Sequence, residues 1–544
     1  MADYAPMPAT MMHMPMTVQM ILRHGATVFP DSVVADFDGE QVTHTRYGEV
    51  AANAVRLANL LRDLGVRPGD RVGTFSWNNR EHQEAYLAIP SMGAIMHTIN
   101  VRLSTEQIAY VINHAEDRVL IVDAQLLDVL APALPLLDTV QHLLIVGDGG
   151  DAGTGTIHSH DYRKAVSQQV DDYPWPTLDE NAAAAVCYTS GTTGNPKGVV
   201  YSHKTTYLHA LASRATDTFG ICEADRLLLL PPMFHANSWG MPYSGWFSGS
   251  DLIMPGPHVQ PQKLIALIGS ERPTFSAMVP TVLGDLLRVP EEELDMRCFR
   301  LLVSGGSAVP PAMIEAVRER WGVPLLQGWG MTETSPMCVL SHPPRDSGGV
   351  PESRWRAKSG RPVPGIEVRA VDDSGRAVPC DGETVGELQL RGPWVTGAYH
   401  GIDAADSFTE DGWLRTGDVG HIDGKHFVQL TDRTKDVIKS GGEWISSVDL
   451  ENALAAHPDV TEAAVIAVPD ERWQERPLAI VASDRPGLEA AELRRFLRDR
   501  VARFWIPERW VFVDAIEKTS VGKIDKKRLR ERRDAGEFEI LRVS

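Results

Sequence analysis

The densest chemistry in the sequence is the run Thr189-Ser190-Gly191-Thr192-Thr193-Gly194-Asn195-Pro196-Lys197-Gly198. Three glycines free the backbone to curl so that successive N–H groups face one anion, while Thr and Ser hydroxyls and Lys197 add donors and a point charge. That composition suits phosphate. The residue before Lys197 is proline and the one after it glycine, so the run is not the Gly-x-x-x-x-Gly-Lys-Ser/Thr loop of ordinary P-loop NTPases. The apolar stretch 182–187 predicts a buried strand feeding directly into it.

Elements able to hold such a loop can be traced on both sides. Apolar residues spaced by three and four from Tyr47 to Leu64 predict a helix, which Gly65 and Pro68-Gly69 stop before a strand over Arg71 to Trp77. Similar units are expected over 107–122, 261–279 and 311–326, the last following the turn Ser304-Gly305-Gly306-Ser307. From Ser32 to about Val350 the pattern is that of largely parallel sheets covered by helices. Turn clusters between Arg361 and Val428 predict a smaller β-rich region. Beyond Asp432 a helix (447–456), a strand (463–468), a second helix (489–502) and a basic tail form a small α/β unit. The boundary falls at the charged stretch 432–436.

Composition narrows the function classes. At 544 residues, with 43% apolar and 23% charged, the chain exceeds one core, and no run reaches the length of a membrane helix. Residues 1–20 lack the features of a secretory signal and read as a flexible lead-in. Five widely spaced cysteines suit neither a disulfide framework nor a metal knuckle, and a reducing cytoplasm is expected. The net charge of −19 disfavours nucleic acid as a partner. The tail from Lys518 to Arg533 departs from this, with eight Lys and Arg against Asp525 and Glu531. It is either a solvated helix face or a segment close to phosphate groups.

Four motifs in order carry a resemblance over nearly the whole chain. They are the loop at 189–198, Pro232-Met233-Phe234-His235-Ala236-Asn237-Ser238-Trp239, Gln327-Gly328-Trp329-Gly330-Met331-Thr332-Glu333-Thr334, and Ile438-Lys439-Ser440-Gly441-Gly442-Glu443-Trp444. The chain resembles the adenylate-forming superfamily of acyl-CoA synthetases, luciferase and peptide-synthetase adenylation domains, and is most similar to bacterial medium- and long-chain fatty-acyl-CoA synthetases. The resemblance implies an α/β fold: two α/β subdomains and a small β-barrel-like one over 1–432, then a mobile α/β lid over 433–544. It also implies ATP, Mg²⁺ and coenzyme A as reactants or cofactors, and a fatty acid as the acyl donor. A homodimer through the N-terminal domain and transient membrane contact are compatible with it.

Residue roles follow from the same resemblance. Thr189 and Glu333 would hold Mg²⁺, and the loop from Ser190 to Lys197 would cradle the β- and γ-phosphates. Trp329, where the family usually has tyrosine, would lie against adenine, opposite Gly305, Gly306 and Ser307 and flanked by Gly328, Gly330, Met331 and Thr332. Asp418 and Arg433 would take the ribose hydroxyls. Lys523, in Lys518-Thr519-Ser520-Val521-Gly522-Lys523, would bridge the carboxylate and the α-phosphate, although Glu517 replaces the usual proline before the motif. Lys435 would be the hinge. Lys439, Gly441 and Gly442 would serve thioester formation.

His235 stands where amino-acid-activating relatives carry an aspartate, and Trp239 where long-chain enzymes gate an acyl tunnel. Both point to an uncharged acyl tail. The alternatives are an aryl- or other carboxylic acid–CoA ligase, a ligase loading a carrier protein, an oxidising enzyme of the luciferase type, and a non-catalytic adenylate sensor.

Overall fold

The computed structural model describes residues 9–543 except 149–155, 190–194, 434, 441–442, 499 and 519–523. Two large sheets dominate. One has seven strands, in the order His158–Asp161, His142–Val146, Asp117–Asp123, Arg71–Phe75, Ile95–Thr98, Ala183–Tyr188 and Gly198–Ser202. All of its pairings are parallel except the last, which is antiparallel. Its inner strands read as continuous apolar runs because both faces are covered. The other sheet has nine strands, with Leu301–Ser304 and Leu325–Gly330 parallel to one another near one side.

The expected helix–turn–strand units are present as Tyr47–Asp63 with Arg71–Phe75, Thr105–Ala115 with Asp117–Asp123, Pro261–Glu271 with Phe275–Met278, and Pro311–Trp321 with Leu325–Gly330. Helix Met241–Ser248 is buried along its whole length, and helix Arg80–Ser91 from Glu81 onward. Such all-round burial marks interior helices rather than surface ones. The lead-in is shorter than the sequence suggests, because helix Val18–Val28 is already under way at Val18. Val18, Ile21, Leu22 and Gly25 put one face into the core, where the Trp246 indole donates to the Leu22 carbonyl at 3.2 Å.

Between these sheets and the C-terminal unit lies a four-stranded antiparallel sheet: Glu367–Val371, Gly386–Arg391, Leu414–Ile422 and Val428–Arg433. The C-terminal unit has its own core around Ile438, Leu450, Val465, Ala479, Leu493 and Trp510. Its second helix runs only over Ala490–Leu497. A short 3₁₀ turn at Arg503–Trp505 follows, so the expected helix over 489–502 was too long.

The basic tail forms helix Lys526–Asp534, and its charges are met within the C-terminal region itself. Lys518 pairs with Glu462, Lys526 with Glu451, Arg530 with Asp436, and Arg532 with Glu517 and Glu537. Its excess charge is therefore largely compensated. Among the described residues no helix is long and apolar enough to cross a membrane.

Candidate functional site

Strand Ala183–Tyr188 and strand Gly198–Ser202 form an antiparallel hairpin in which Tyr188 stands opposite Gly198. The loop leaves from this hairpin and is closed at its base from both sides. The Thr189 N–H donates to the Lys197 carbonyl at 3.0 Å, and the Lys197 N–H to the Thr189 hydroxyl at 3.1 Å. Ser190, Gly191, Thr192, Thr193 and Gly194 lie outside the described residues. The base is also tied to a distant segment, since the His400 N–H donates to the Gly198 carbonyl at 2.8 Å.

That segment brings a residue the sequence did not single out. The Lys197 ammonium sits 4.7 Å from the centre of the Tyr399 ring, and the Tyr399 hydroxyl donates to Glu333 Oε1 at 2.7 Å. Burial first, and then the negative charge of Glu333, hold the phenol well above its ordinary pKa, so it stays a donor. Glu333 lies on the 3₁₀ turn Thr332–Thr334, and its backbone carbonyl accepts from Thr396 at 2.8 Å. The Tyr201 hydroxyl fixes the neighbouring Thr332 carbonyl at 2.6 Å. Met331 closes the same turn by donating its N–H to the Thr334 hydroxyl.

Glu333 is 8% exposed, and among the described residues no Lys or Arg forms an ion pair with it. A buried carboxylate without a cationic partner is costly. Its oxygens, with the Thr189 hydroxyl on the hairpin side, are the donor type a hard divalent cation takes. The residues present therefore fit Mg²⁺.

A second group is built on the strands themselves. Trp329, on strand Leu325–Gly330, donates its indole N–H to Asp418 Oδ2 at 3.0 Å, and Arg433 Nε lies 2.5 Å from Asp418 Oδ1. Asp418 and Arg433 are directly opposed across the antiparallel pair Leu414–Ile422 and Val428–Arg433, which fixes the contact by register. Asp418 is only 3% exposed, whereas nearly half of the Arg433 side chain is open to solvent.

The third group surrounds the ends of strands Leu301–Ser304 and Leu325–Gly330, where ligands of open α/β sheets commonly bind. A Cβ on Gly305 would lie 2.9 Å from the Gly328 carbonyl and 3.2 Å from the Trp239 ring, so only glycine admits this approach. Gly306 and Ser307 continue the turn beyond the strand, and Gly330 ends its partner.

Trp239 arrives there through an unusual turn. Ala236, Asn237, Ser238, Trp239 and Gly240 have φ of 43°, 52°, 50°, 56° and 77°, one turn of left-handed helix. For L-residues this costs about 1–2 kcal/mol each. Buried hydrogen bonds hold it. Asn237 Oδ1 accepts from the Cys187 thiol at 3.1 Å and from Tyr86 and Thr98 at 3.4 Å, and the Ser238 hydroxyl donates to the Pro231 carbonyl at 2.6 Å. His235 enters the turn half-buried, with its own N–H on the Pro232 carbonyl.

The remaining candidates belong to the C-terminal side. Asp432 accepts from the Ser447 N–H at 2.7 Å and from its hydroxyl, while Asp436 pairs with Arg530 at 2.6 Å. Lys435 lies between these anchors, its pKa lowered chiefly by burial. Lys439 stands on strand Ile438–Ser440 and donates its N–H to Glu475. Gly441, Gly442 and Lys523 lie outside the described residues.

Comparisons with known proteins bear on this arrangement. A model of the AMP-binding enzyme family matches residues 22–400, and one of the AMP-binding enzyme C-terminal domain matches 449–523. The chain is 43% identical to a long-chain-fatty-acid–CoA ligase of Thermus thermophilus, over 96% of this chain and 97% of that one. It is 40% identical to a 3-methylmercaptopropionyl-CoA ligase of Ruegeria pomeroyi, over 96% and 98% respectively. Among solved structures, an anthranilate CoA ligase in complex with anthranoyl-AMP superimposes with a TM-score of 0.86 at 26% identity, covering 97% of this chain and 99% of that one.

Proposed function

Since the chain belongs to the AMP-binding enzyme family and is an AMP-forming acyl-CoA ligase using ATP, Mg²⁺ and coenzyme A, we propose that its acid is a medium- to long-chain fatty acid. The observation that carries this reading is the segment 232–240. It holds no acidic side chain to meet a substrate ammonium, and it lays the Trp239 indole on Gly305 beside the wholly buried helix Met241–Ser248. Relatives named for long- and medium-chain fatty acids, at 43% and 41% identity, support it.

The division of labour in this reading follows from what the reaction needs. A carboxylate is a poor acyl donor because its charge repels nucleophiles and its oxygen leaves badly. Attack on the α-phosphate of ATP, with loss of pyrophosphate, removes both faults. Negative charge then spreads over phosphoryl oxygens and must be met by fixed donors. Thr189, Lys197 and the loop between them hold the β- and γ-phosphates, and Glu333 and Thr189 would hold Mg²⁺, which would supply positive charge against the phosphate oxygens. Tyr399 orients Glu333 and flanks Lys197.

Trp329 offers its face to adenine, and Asp418 and Arg433 take the ribose hydroxyls. Lys523 meets the carboxylate and α-phosphate oxygens in the first step. In the second, the unit beyond Asp432 turns about Lys435, bringing Lys439, Gly441 and Gly442 to the adenylate and the thiol of coenzyme A.

A short acid is the second reading. It is favoured by a relative, 40% identical over 96% of this chain, that is named for 3-methylmercaptopropionate. The test measures AMP release with straight-chain acids of two to eighteen carbons, 3-methylmercaptopropionate and aryl acids, with coenzyme A and a carrier protein as acceptors. Highest kcat/KM on an acid of eight or more carbons with coenzyme A is expected. A maximum on 3-methylmercaptopropionate or butyrate would install the second reading, and turnover of aryl acids alone would overturn both.

A further inference from the structure

Three histidines share one face at the edge of the seven-stranded sheet, two of them in direct contact. Strand His158–Asp161 is the edge strand of the seven-stranded sheet and runs parallel to His142–Val146, with His142 opposite His158. Side chains two apart on a strand share a face, so His160 joins them. His142 Nδ1 and His160 Nε2 are 3.1 Å apart. The ring centres of His158 and His160 lie 5.6 and 5.2 Å from that of His142.

We propose that His142, His160 and His158 form a binding site for a divalent transition-metal ion, Zn²⁺ being the ion the geometry suits. Two imidazole nitrogens bound at about 2.0–2.1 Å in a tetrahedral shell stand roughly 3.3 Å from each other, close to the spacing already present. His158 is exposed and reaches the shell by turning its ring. In the metal-free protein one proton bridges His142 and His160. On binding, that proton moves to the outer nitrogen of the same ring, leaving both lone pairs to the ion.

Burial first, and then the neighbouring imidazoles, lower the pKa of His142 and His160, which favours the unprotonated donor form. Arg118, the cation nearest His142, is engaged by Asp70 and Gln141 at 3.3 Å. Nitrogen donors discriminate against Mg²⁺ and in favour of Zn²⁺, Ni²⁺ or Cu²⁺, so the site is chemically distinct from the oxygen site at Glu333. His457, Asp459 and Glu492, whose ligand atoms all lie within 4.8 Å of one another, lack this character. Arg485 already holds both carboxylates, at 2.8 and 2.5 Å. An ion on the three histidines would fasten the edge strand to its neighbour.

Isothermal titration of the metal-free full-length protein with Zn²⁺ tests this, followed by thermal melts and by the visible spectrum after Co²⁺ substitution. One site of micromolar or tighter Kd is expected, unaffected by excess Mg²⁺, with the melting midpoint raised by several degrees. His142→Ala and His160→Ala should each weaken it at least about tenfold, and His158→Ala measurably. Acidification should weaken it, because protons compete with the ion for the nitrogen donors. His457→Ala should leave it unchanged. Undiminished affinity in the folded H142A/H160A double variant, or loss of the site in His457→Ala, would overturn the assignment.

Discussion

Glu333 is reached from three places in the sequence: its own turn, Thr396 through the backbone, and Tyr399 through its hydroxyl. The Glu333 carboxylate is buried, and the Lys197 ammonium is held one ring away, over Tyr399. The residue at this scale with the sharpest expected effect is Lys523. Lys523→Ala should lower acyl-adenylate formation by roughly 10²–10³-fold while sparing thioester formation from supplied acyl-adenylate. Separate assays of pyrophosphate exchange and of CoA thioester formation check it, and equal loss of both would reject the role.

Several of these residues stand out in the sequence because long motifs contain them, namely Thr189, Lys197, Trp329 and Glu333, whereas Asp418 is singled out only through the resemblance. The contact between Trp329 and Asp418 was not legible there, since both were read against a nucleotide rather than against each other. Tyr399 was invisible for a different reason. Nothing around it has periodicity or a motif, and its meaning arises only when strand Gly198–Ser202 and the 396–400 segment meet.

Among the elements, the left-handed turn at 236–240 is the most demanding. Ala, Ser and Trp give no local hint of positive φ, and only Asn237 and Gly240 are residue types that tolerate it readily. Tertiary hydrogen bonds decide the conformation, which is why the sequence marked His235 and Trp239 as pocket residues without revealing how they are aimed. At Gly240 a methyl group would lie 2.5 Å from His209 Nδ1 on an already positive φ. Gly240→Ala should therefore cost roughly 2–5 kcal/mol of stability. Urea unfolding at unchanged m-value reads this directly, and a loss under 1 kcal/mol would show that the turn relaxes freely.

Helices and strands with strong periodicity fared better in the sequence. The segment from Tyr47 to Leu64 forms the expected helix to within a residue. The helix expected over 489–502 stops at Leu497, before the turn at Arg503–Trp505.

At the scale of the whole molecule, the chain passes from the four-stranded sheet to the C-terminal unit through residues held alternately by each side. Asp432 and Asp436 are bound by Ser447 and Arg530 of the C-terminal unit, whereas Arg433 between them grips Asp418 of the sheet. A pivot at Lys435 needs free rotation of its backbone, and proline removes it by fixing φ near −65°. Lys435→Pro should keep acyl-adenylate formation within a few-fold of normal and abolish thioester formation. Normal overall turnover in a coupled AMP-release assay would reject the pivot. In the sequence a change in composition marks this passage as a boundary. It cannot show the alternation, which depends on partners up to ninety-odd residues away.

Because Asp418 and Arg433 face each other across neighbouring strands of one sheet, their ion pair stands ready before any ligand arrives. In the proposed reading a ribose shares the Asp418 carboxylate with that guanidinium, so the strength of the pair and the affinity for nucleotide are linked by one free energy. A change that loosens the pair then alters nucleotide affinity, and bound nucleotide alters the pair, by the same factor.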